Sequence, residues 1–247
     1  MKLDAYWTDS APAFTPAERP LPAQVDVAIV GAGFTGLSAA RALARRGARV
    51  LVLEAGHRVA AEASGRNGGH VNNGLAVDYA EVAAKVGPET ARRWYHAYDA
   101  AVDSVARVVQ EEGIACDFLR HGKLKLATRP QHMDALSRSA ERLVRDGVDT
   151  DVEVLGADRV RAEVQSERFH GGLLYKRSGQ MHMGRFAWGL ATAAERHGAA
   201  PAAHRRAIDG GDAWRHRPAA RSLASCSSIA RSACCGRMTS DRLRISS

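Results

Sequence analysis

The first regular pattern in the chain begins at Val25. The run VDVAIV (25–30) is apolar, rich in β-branched residues and bounded by glycine, the pattern of a parallel strand buried on both faces. In GAGFTGLSAARALARRG (31–47), Leu37, Ala40, Leu43 and Ala44 recur at helical spacing and Gly47 supplies a stop. RVLVLE (49–54) then repeats the strand pattern. Together the three segments predict a compact βαβ unit. Ahead of them, Pro12, Pro16, Pro20 and Pro22 block both helix and sheet, so residues 1–23 read as an extended arm.

Farther along, helices are predicted at EVAAKV (81–86) and from Pro88 to Gly113, the second with Glu89 near its positive end. GKLKLAT (122–128) alternates Lys123 and Lys125 with Leu124 and Leu126, the period of a half-exposed strand. A helix over 130–145, a strand at VEVL (152–155), a helix over 158–164 and a strand at GGLLYK (171–176) follow. GRFAWGLATAAERHG (184–198) is the last convincing helix.

The turn between the first strand and helix carries the chemistry. Gly31, Gly33 and Gly36 form GxGxxG, a short pattern that is weak alone but here follows a strand and opens a helix. In that setting Gly31 allows the tight turn, Gly33 lets backbone approach a pyrophosphate and Gly36 lets helix and strand pack closely. The phosphates then meet the helix's positive end, beside Phe34 and Thr35. Glu54 ends the second strand 23 residues after Gly31, close to the roughly 20 expected of a carboxylate that accepts hydrogen bonds from a ribose and disfavours a 2′-phosphate. The bland alternative is a tight strand-to-helix turn followed by a solvated strand end. A second glycine-rich stretch follows so soon, with Ser64, Gly65, Arg66, Asn67, Gly68 and Gly69, that FAD is the dinucleotide indicated.

Composition changes this picture only near the end. The 247 residues carry a net charge of +8 and are 45% hydrophobic, which excludes collagen, coiled coil and wholesale disorder. Residues 202–247 hold nine Arg against three Asp, leaving 26 basic and 24 acidic side chains before them. That segment lacks Lys, Glu, Val, Phe and Tyr, and reads as an aberrant, disordered tail produced by a shifted reading frame. Its arginines invite a nucleic-acid reading, but they are scattered, only Trp214 is available to stack, and no nucleic-acid fold motif accompanies them, so no specific nucleic acid is expected. Cys116, Cys226, Cys234 and Cys235 show neither metal-site nor disulfide spacing. The N-terminus lacks the basic start and apolar run of a signal peptide, and no window reaches the roughly 18 apolar residues of a membrane span; a soluble cytoplasmic protein is the expectation.

The stretches YWTDSAP, DVAIVGAGFTGLSAARALARRGARVLVLEA, ASGRNGG, GKLKLAT, FHGGLLY and QMHMGRF resemble the FAD-dependent oxidoreductases of the D-amino-acid oxidase and glycine oxidase superfamily, most closely its gamma-glutamylputrescine oxidase-like branch. The resemblance covers residues 6 to about 200, the N-terminal half of such a protein. It implies an α/β fold: a Rossmann-like FAD-binding domain with an inserted, mainly antiparallel substrate domain, here C-terminally truncated. The expected divisions are the arm at 1–23, the first part of the FAD domain at 24–114, a partial substrate domain at 115–180, a return helix at 181–201 and the tail at 202–247.

The same resemblance implies that Gly31, Gly33, Phe34, Thr35 and Gly36 approach the FAD pyrophosphate and Glu54 the adenosine ribose, with Ser64 through Gly69 running toward the isoalloxazine. Family members oxidise small amines or amino acids by passing a hydride equivalent to the flavin, which oxygen reoxidises. The resemblance also implies another strand of the FAD sheet directly after ERHGA (195–199), then further substrate domain, and none is visible in the sequence. The expected function is therefore an FAD-dependent oxidoreductase reduced to an inactive fragment. A catalytically silent FAD-binding or interaction protein is the alternative, and an NAD-dependent dehydrogenase would need a second Rossmann half. His70 and His182 are candidates near the flavin but fit structural roles better, Trp94, Tyr95 and Tyr98 fit a core better than an amine cage, and no catalytic base is assigned.

Overall fold

The computed structural model describes residues 5–12, 14–17, 20–203, 206–209 and 243–246. The chain divides into two compact units. One takes the residues up to Gly68, Ile114–Cys116 and the chain from His182 onward; the other takes Gly69–Gly113 and Asp117–Met181.

The first unit is built on strand β1 (Val27–Val30), helix α2 (Phe34–Ala44) and strand β2 (Val50–Leu53), preceded by one helical turn, α1 (Tyr6–Asp9). β1 and β2 pair in parallel with Val27 opposite Val50. All four residues of β2 are buried, as its unbroken apolar run requires of a central strand. On its other edge β2 pairs in parallel with β8 (Ala200–Ala202), which lies beyond helix α7 (Met183–Arg196). This strand corrects the sequence expectation that none follows ERHGA. APA is too short and Pro201 too disruptive to register as a strand by pattern, yet proline is tolerated at a sheet edge, and β2 supplies the pairing. α2 and α7 pack on each other, and Leu37 and Ala40 of the first and Leu190 and Ala194 of the second are fully buried.

The arm also differs from its expectation. α1 occupies part of it, and Phe14 is buried. Within 202–247, β9 (Arg206–Asp209) and β10 (Leu243–Ser246) form an antiparallel pair; residues 210–242, where the rest of the expected disordered tail falls, lie outside the described residues, as do Trp214, Cys226, Cys234 and Cys235.

The second unit carries a three-stranded antiparallel sheet, β4 (Lys123–Ala127), β6 (Gly171–Tyr175) and β5 (Val152–Gly156), with β6 central. Helix α5 (Pro130–Arg145) lays Leu136 and Ala140 on Ala127 and Leu173. Helix α6 (Ala157–Val164) follows β5, and a short pair joins β3 (His70–Val71) to β7 (Gly179–Gln180). Helices α3 (Tyr79–Val86) and α4 (Pro88–Glu112) build a second cluster from Tyr79, Val82, Ala91, Tyr95, Leu143 and Val148. The expected domain boundary at 114 is therefore displaced: residues 69–113 are held by the cluster that contains Leu143 and Val148, and only Ile114–Cys116 return to the first unit. Tyr95 is core and Trp94 is exposed.

Under that cluster lies a buried polar network. Ser178 Oγ donates to Asn73 Oδ1 (2.6 Å), Asn73 Nδ2 donates to Asp149 Oδ2 (3.0 Å), and Tyr95 Oη donates to the same oxygen (2.7 Å). Burial and the Asp149 carboxylate both hold the Tyr95 hydroxyl protonated far above its usual range. Asp99 is buried nearby, and neither of its oxygens accepts a hydrogen bond among the described residues. Its nearest cation is Arg177, with Nη1 3.4 Å from Oδ2.

Burial pushes the Asp99 carboxyl above its ordinary range, and the Arg177 charge offsets this only in part. A carboxyl bound more tightly to its proton in the folded state costs stability as pH rises from the unfolded value through the folded one. Asp99→Asn keeps the shape and cannot ionise, and Arg177 retains Asp103 at 3.7 Å. We expect Asp99→Asn to raise the thermal midpoint at pH 7, with the gain shrinking as pH falls from the raised folded value toward about 4, the ordinary carboxylate value, and vanishing below it. Calorimetry across that range checks it; a variant less stable at pH 7 would show that the ion pair outweighs desolvation.

Candidate dinucleotide site

The site is made where β1 gives way to α2. Gly31 turns the chain at φ +93°, a conformation that other residues adopt only with strain, and its amide still donates to Leu53 O (2.8 Å). A Cβ on Gly36 would lie 2.0 Å from Gly31 O, so the first turn of α2 rests directly on the backbone of the turn. Gly33 is the N-cap of α2, and a Cβ there would lie 3.0 Å from Ser64 Oγ. That hydroxyl accepts from Phe34 N (3.1 Å). Among the described residues, the amides of Gly33, Thr35 and Gly36 have no protein acceptor. The result is a group of open N–H donors at the positive end of a helix, a seat for a phosphate.

Glu54, half-buried at the end of β2, accepts from Ala32 N through Oε2 (2.8 Å) and from Gly56 N through Oε1 (2.8 Å). One carboxylate thus pins both the glycine turn and the chain leaving β2. Each oxygen keeps a lone pair for a further donor such as a ribose hydroxyl. Ala60 N donates to Ala32 O (3.0 Å), which ties the next segment to the same turn.

The second glycine-rich stretch begins with a short 3₁₀ turn, Ala63–Gly65. Asn67 Nδ2 closes it by donating to Ala63 O (3.1 Å) and Ser64 O (2.9 Å). Arg66 is exposed, and its Nε donates to Ala61 O (2.8 Å), within its own loop. Gly68 is exposed, whereas Gly69 is buried in the second unit, where its carbonyl accepts from Met181 N (3.0 Å). The structure therefore gathers Gly31, Gly33, Phe34, Thr35, Gly36, Glu54 and Ser64 around one helix end, with Gly65, Arg66 and Asn67 in the adjoining loop. Ala32 and Ala60 join them through backbone groups alone, which is why no side-chain pattern signals them.

Of the two candidate histidines, one is held in a helix cap. His182 caps α7: its Nδ1 accepts from Arg185 N (3.2 Å), so Nε2 carries the proton and donates to Ser10 Oγ (3.0 Å). His70 is exposed on β3. Cys116 is a buried free thiol. Among the described residues there is no group of three or more His, Cys, Asp or Glu side chains placed to hold a metal ion, and no helix is long and apolar enough to cross a membrane.

A donor-lined turn with no room for side chains and a carboxylate at the next strand end fit the pyrophosphate and ribose of a dinucleotide, and comparison with known proteins identifies which. Residues 26–226 match the family model of the FAD dependent oxidoreductases, so family likeness continues past residue 202, where the composition changes. The chain is 35% identical over 173 residues to the gamma-glutamylputrescine oxidoreductase of Escherichia coli, covering 70% of this chain and 40% of that protein. It is 32% identical over 168 residues to the probable oxidoreductase OrdL of Haemophilus influenzae, covering 68% and 38%. The chain thus spans about two-fifths of the length of these relatives. Among solved structures, glycine oxidase from Geobacillus kaustophilus aligns with a TM-score of 0.59 at 24% identity, over 75% of this chain and 48% of that one. L-amino acid deaminase from Proteus myxofaciens aligns at 0.64 and 19%, over 80% and 42%. The match over most of the chain, which includes the glycine turn, makes this protein a member of the D-amino-acid oxidase family of FAD-dependent oxidoreductases.

Proposed function

We propose that these residues are the adenosine and pyrophosphate half of an FAD-dependent amine or amino-acid oxidase, and that the 247-residue chain by itself binds FAD without completing the oxidation. The observation that carries the first part is the set of open amides at Gly33, Thr35 and Gly36, pinned by Glu54 through Ala32. The second part is supported by the share of the relatives that the chain spans and by the absence, among the described residues, of a side chain assignable as base. The glutamylputrescine relative supports a small amine as the substrate class, and the amino-acid oxidase and deaminase structures make amino acids the next to test.

The chemistry FAD supplies when bound is acceptance of a hydride equivalent from an amine C–H bond, with dioxygen taking the electron pair to form hydrogen peroxide. This chain's residues bind and orient. The α2 amides hold the pyrophosphate, Glu54 holds the ribose while fixing the turn, and Ser64 keeps the second loop against the helix end. Hydride transfer further needs donor carbon and flavin held in a water-excluded pocket, where about 1 Å of misplacement costs ~100-fold. We propose that elements beyond the described residues supply the remainder of that pocket in the intact family members.

Three outcomes are expected. Gly33→Val puts a branched side chain where the backbone must meet phosphate and where Ser64 Oγ already stands 3.0 Å from a Cβ, so flavin-fluorescence titration is expected to show severe loss of FAD affinity. Equal affinity would remove the phosphate assignment. Glu54→Gln leaves one acceptor oxygen for two backbone donors and removes the charge; a weakening of roughly 10- to 100-fold in FAD binding is expected, from the ~1.5–3 kcal/mol of a hydrogen bond to a charged group. Unaltered binding would make Glu54 a purely structural strand end. Finally, the FAD-loaded chain, assayed beside the E. coli relative with gamma-glutamylputrescine and a panel of amino acids, is expected to release no appreciable peroxide, and robust turnover would overturn the second half of the proposal.

A further inference from the structure

The segment YWTDSAP (6–12) stands outside the glycine motifs, yet it is placed against the second glycine-rich loop, which in turn meets the first turn of α2. Trp7 Nε1 donates to Asn67 O at 2.6 Å, across 60 residues of sequence. Asn67 in turn closes the 63–65 turn through its amide, and Ser64 in that turn receives Phe34 N at the first turn of α2. A continuous path therefore runs from the N-terminal tryptophan, through the second glycine-rich loop, to the helix end that faces phosphate.

The base of this path is rigid. A Cβ on Gly184, in the first turn of α7, would lie 1.9 Å from Trp7 O, so α1 and α7 meet backbone to backbone with no room for a side chain. The Trp7 ring stands edge-on to His182, with centroids 5.0 Å apart. His182 is itself held on one side by Arg185 N and on the other by Ser10 Oγ, whose hydroxyl donates to Tyr6 O (2.5 Å) and so closes α1 onto the imidazole. Thr8 Cγ2 lies 3.4 Å from the position of a Cβ on Gly65, so the same turn of α1 also packs on the loop from a second residue. All of these groups belong to the first unit.

We infer that Trp7 is a positioning residue for FAD: α1, anchored on α7, clamps the Ala63–Asn67 loop through the Trp7–Asn67 hydrogen bond and holds Ser64 in register with the helix end. The inference rests on the FAD reading of the site for its consequence and on the loop contacts alone for its geometry. Loop closure is the physical gain. Without the clamp, the polar loop would have to be ordered by the cofactor, and binding would bear that entropy.

The test uses Trp7→Phe, which keeps an aromatic ring against His182 and removes the donor. Two readouts are taken on the full chain: FAD affinity by fluorescence titration, and the rate of tryptic cleavage after Arg66, an exposed arginine inside the loop, in the absence of FAD. The expected result is a 3- to 10-fold loss of FAD affinity, the size of one neutral hydrogen bond, with faster cleavage after Arg66 and an unchanged thermal midpoint. Unchanged affinity and unchanged cleavage would overturn the inference. A fall in midpoint that accounts for both effects would overturn it too, by showing a general packing role. Asp26→Asn serves as a control: it removes the exposed Asp26–Arg49 pair and is expected to move neither readout. Should the unaltered chain fail to bind FAD while Trp7→Phe still speeds cleavage, the FAD reading falls and the clamp stands.

Discussion

Everything at the site depends on how closely the first turn of α2 sits on the turn that precedes it. Gly36 touches the carbonyl of Gly31 with no space for even a methyl group, and this contact aims the amides of the first helical turn outward. Hydrophobic burial of β2 and of the α2–α7 interface supplies the energy that holds the helix there, at about 25 cal/mol for each Å² of apolar surface removed from water. The glycines supply no burial; they remove the side chains that would lift the helix away. The site is in this sense a gap in packing maintained by the packing around it, and the open donors are what remains exposed.

Glu54 shows how one residue serves two levels of organisation. Its carboxylate takes an amide from either side, Ala32 in the glycine turn and Gly56 past the strand, and a charged acceptor makes both bonds stronger than neutral ones. The group proposed to meet a ribose is thereby also the group that fixes the turn beside it. Ser64 repeats the arrangement from another part of the chain, filling one N-terminal amide of α2 while leaving its neighbours free.

The elements with strong period and clear stops were legible from sequence. The βαβ unit appears in the order read, with each element shorter by up to three residues at an end, and the helices at 88–112 and 130–145 appear with their boundaries within about a residue, because proline starts and glycine stops mark those two physically. What pattern misses is structure stabilised from outside the segment. β8 is three residues with a central proline and exists because β2 pairs with it. α1 is a single turn amid prolines and exists because α7 and the 63–67 loop cover it. The boundary at 68–69 escaped notice for the same reason: the residues that claim 69–113 lie much later in the chain, at Leu143 and Val148. His182 was legible only as a candidate, since a capping role depends on which amide follows it in space and on a serine 172 residues earlier.

The two units also solve the problem of buried polarity differently, and the difference bears on what each can do. In the first, polar groups at the site are backbone amides and carboxylate oxygens with capacity left over, a condition that invites a ligand. In the second, Asn73, Ser178, Asp149 and Tyr95 consume one another's donors and acceptors, so the network ties α4 to the segments around Asn73, Asp149 and Ser178. Asp99 is the exception there, a buried carboxyl whose nearest cation stands at 3.4 Å without a hydrogen bond from any described residue. Burial raises the pKa of this carboxyl above its ordinary range, and the Arg177 charge opposes that. The two regions thus differ in their hydrogen-bonding capacity: left open at the end of α2, and mutually satisfied among Asn73, Ser178, Asp149 and Tyr95.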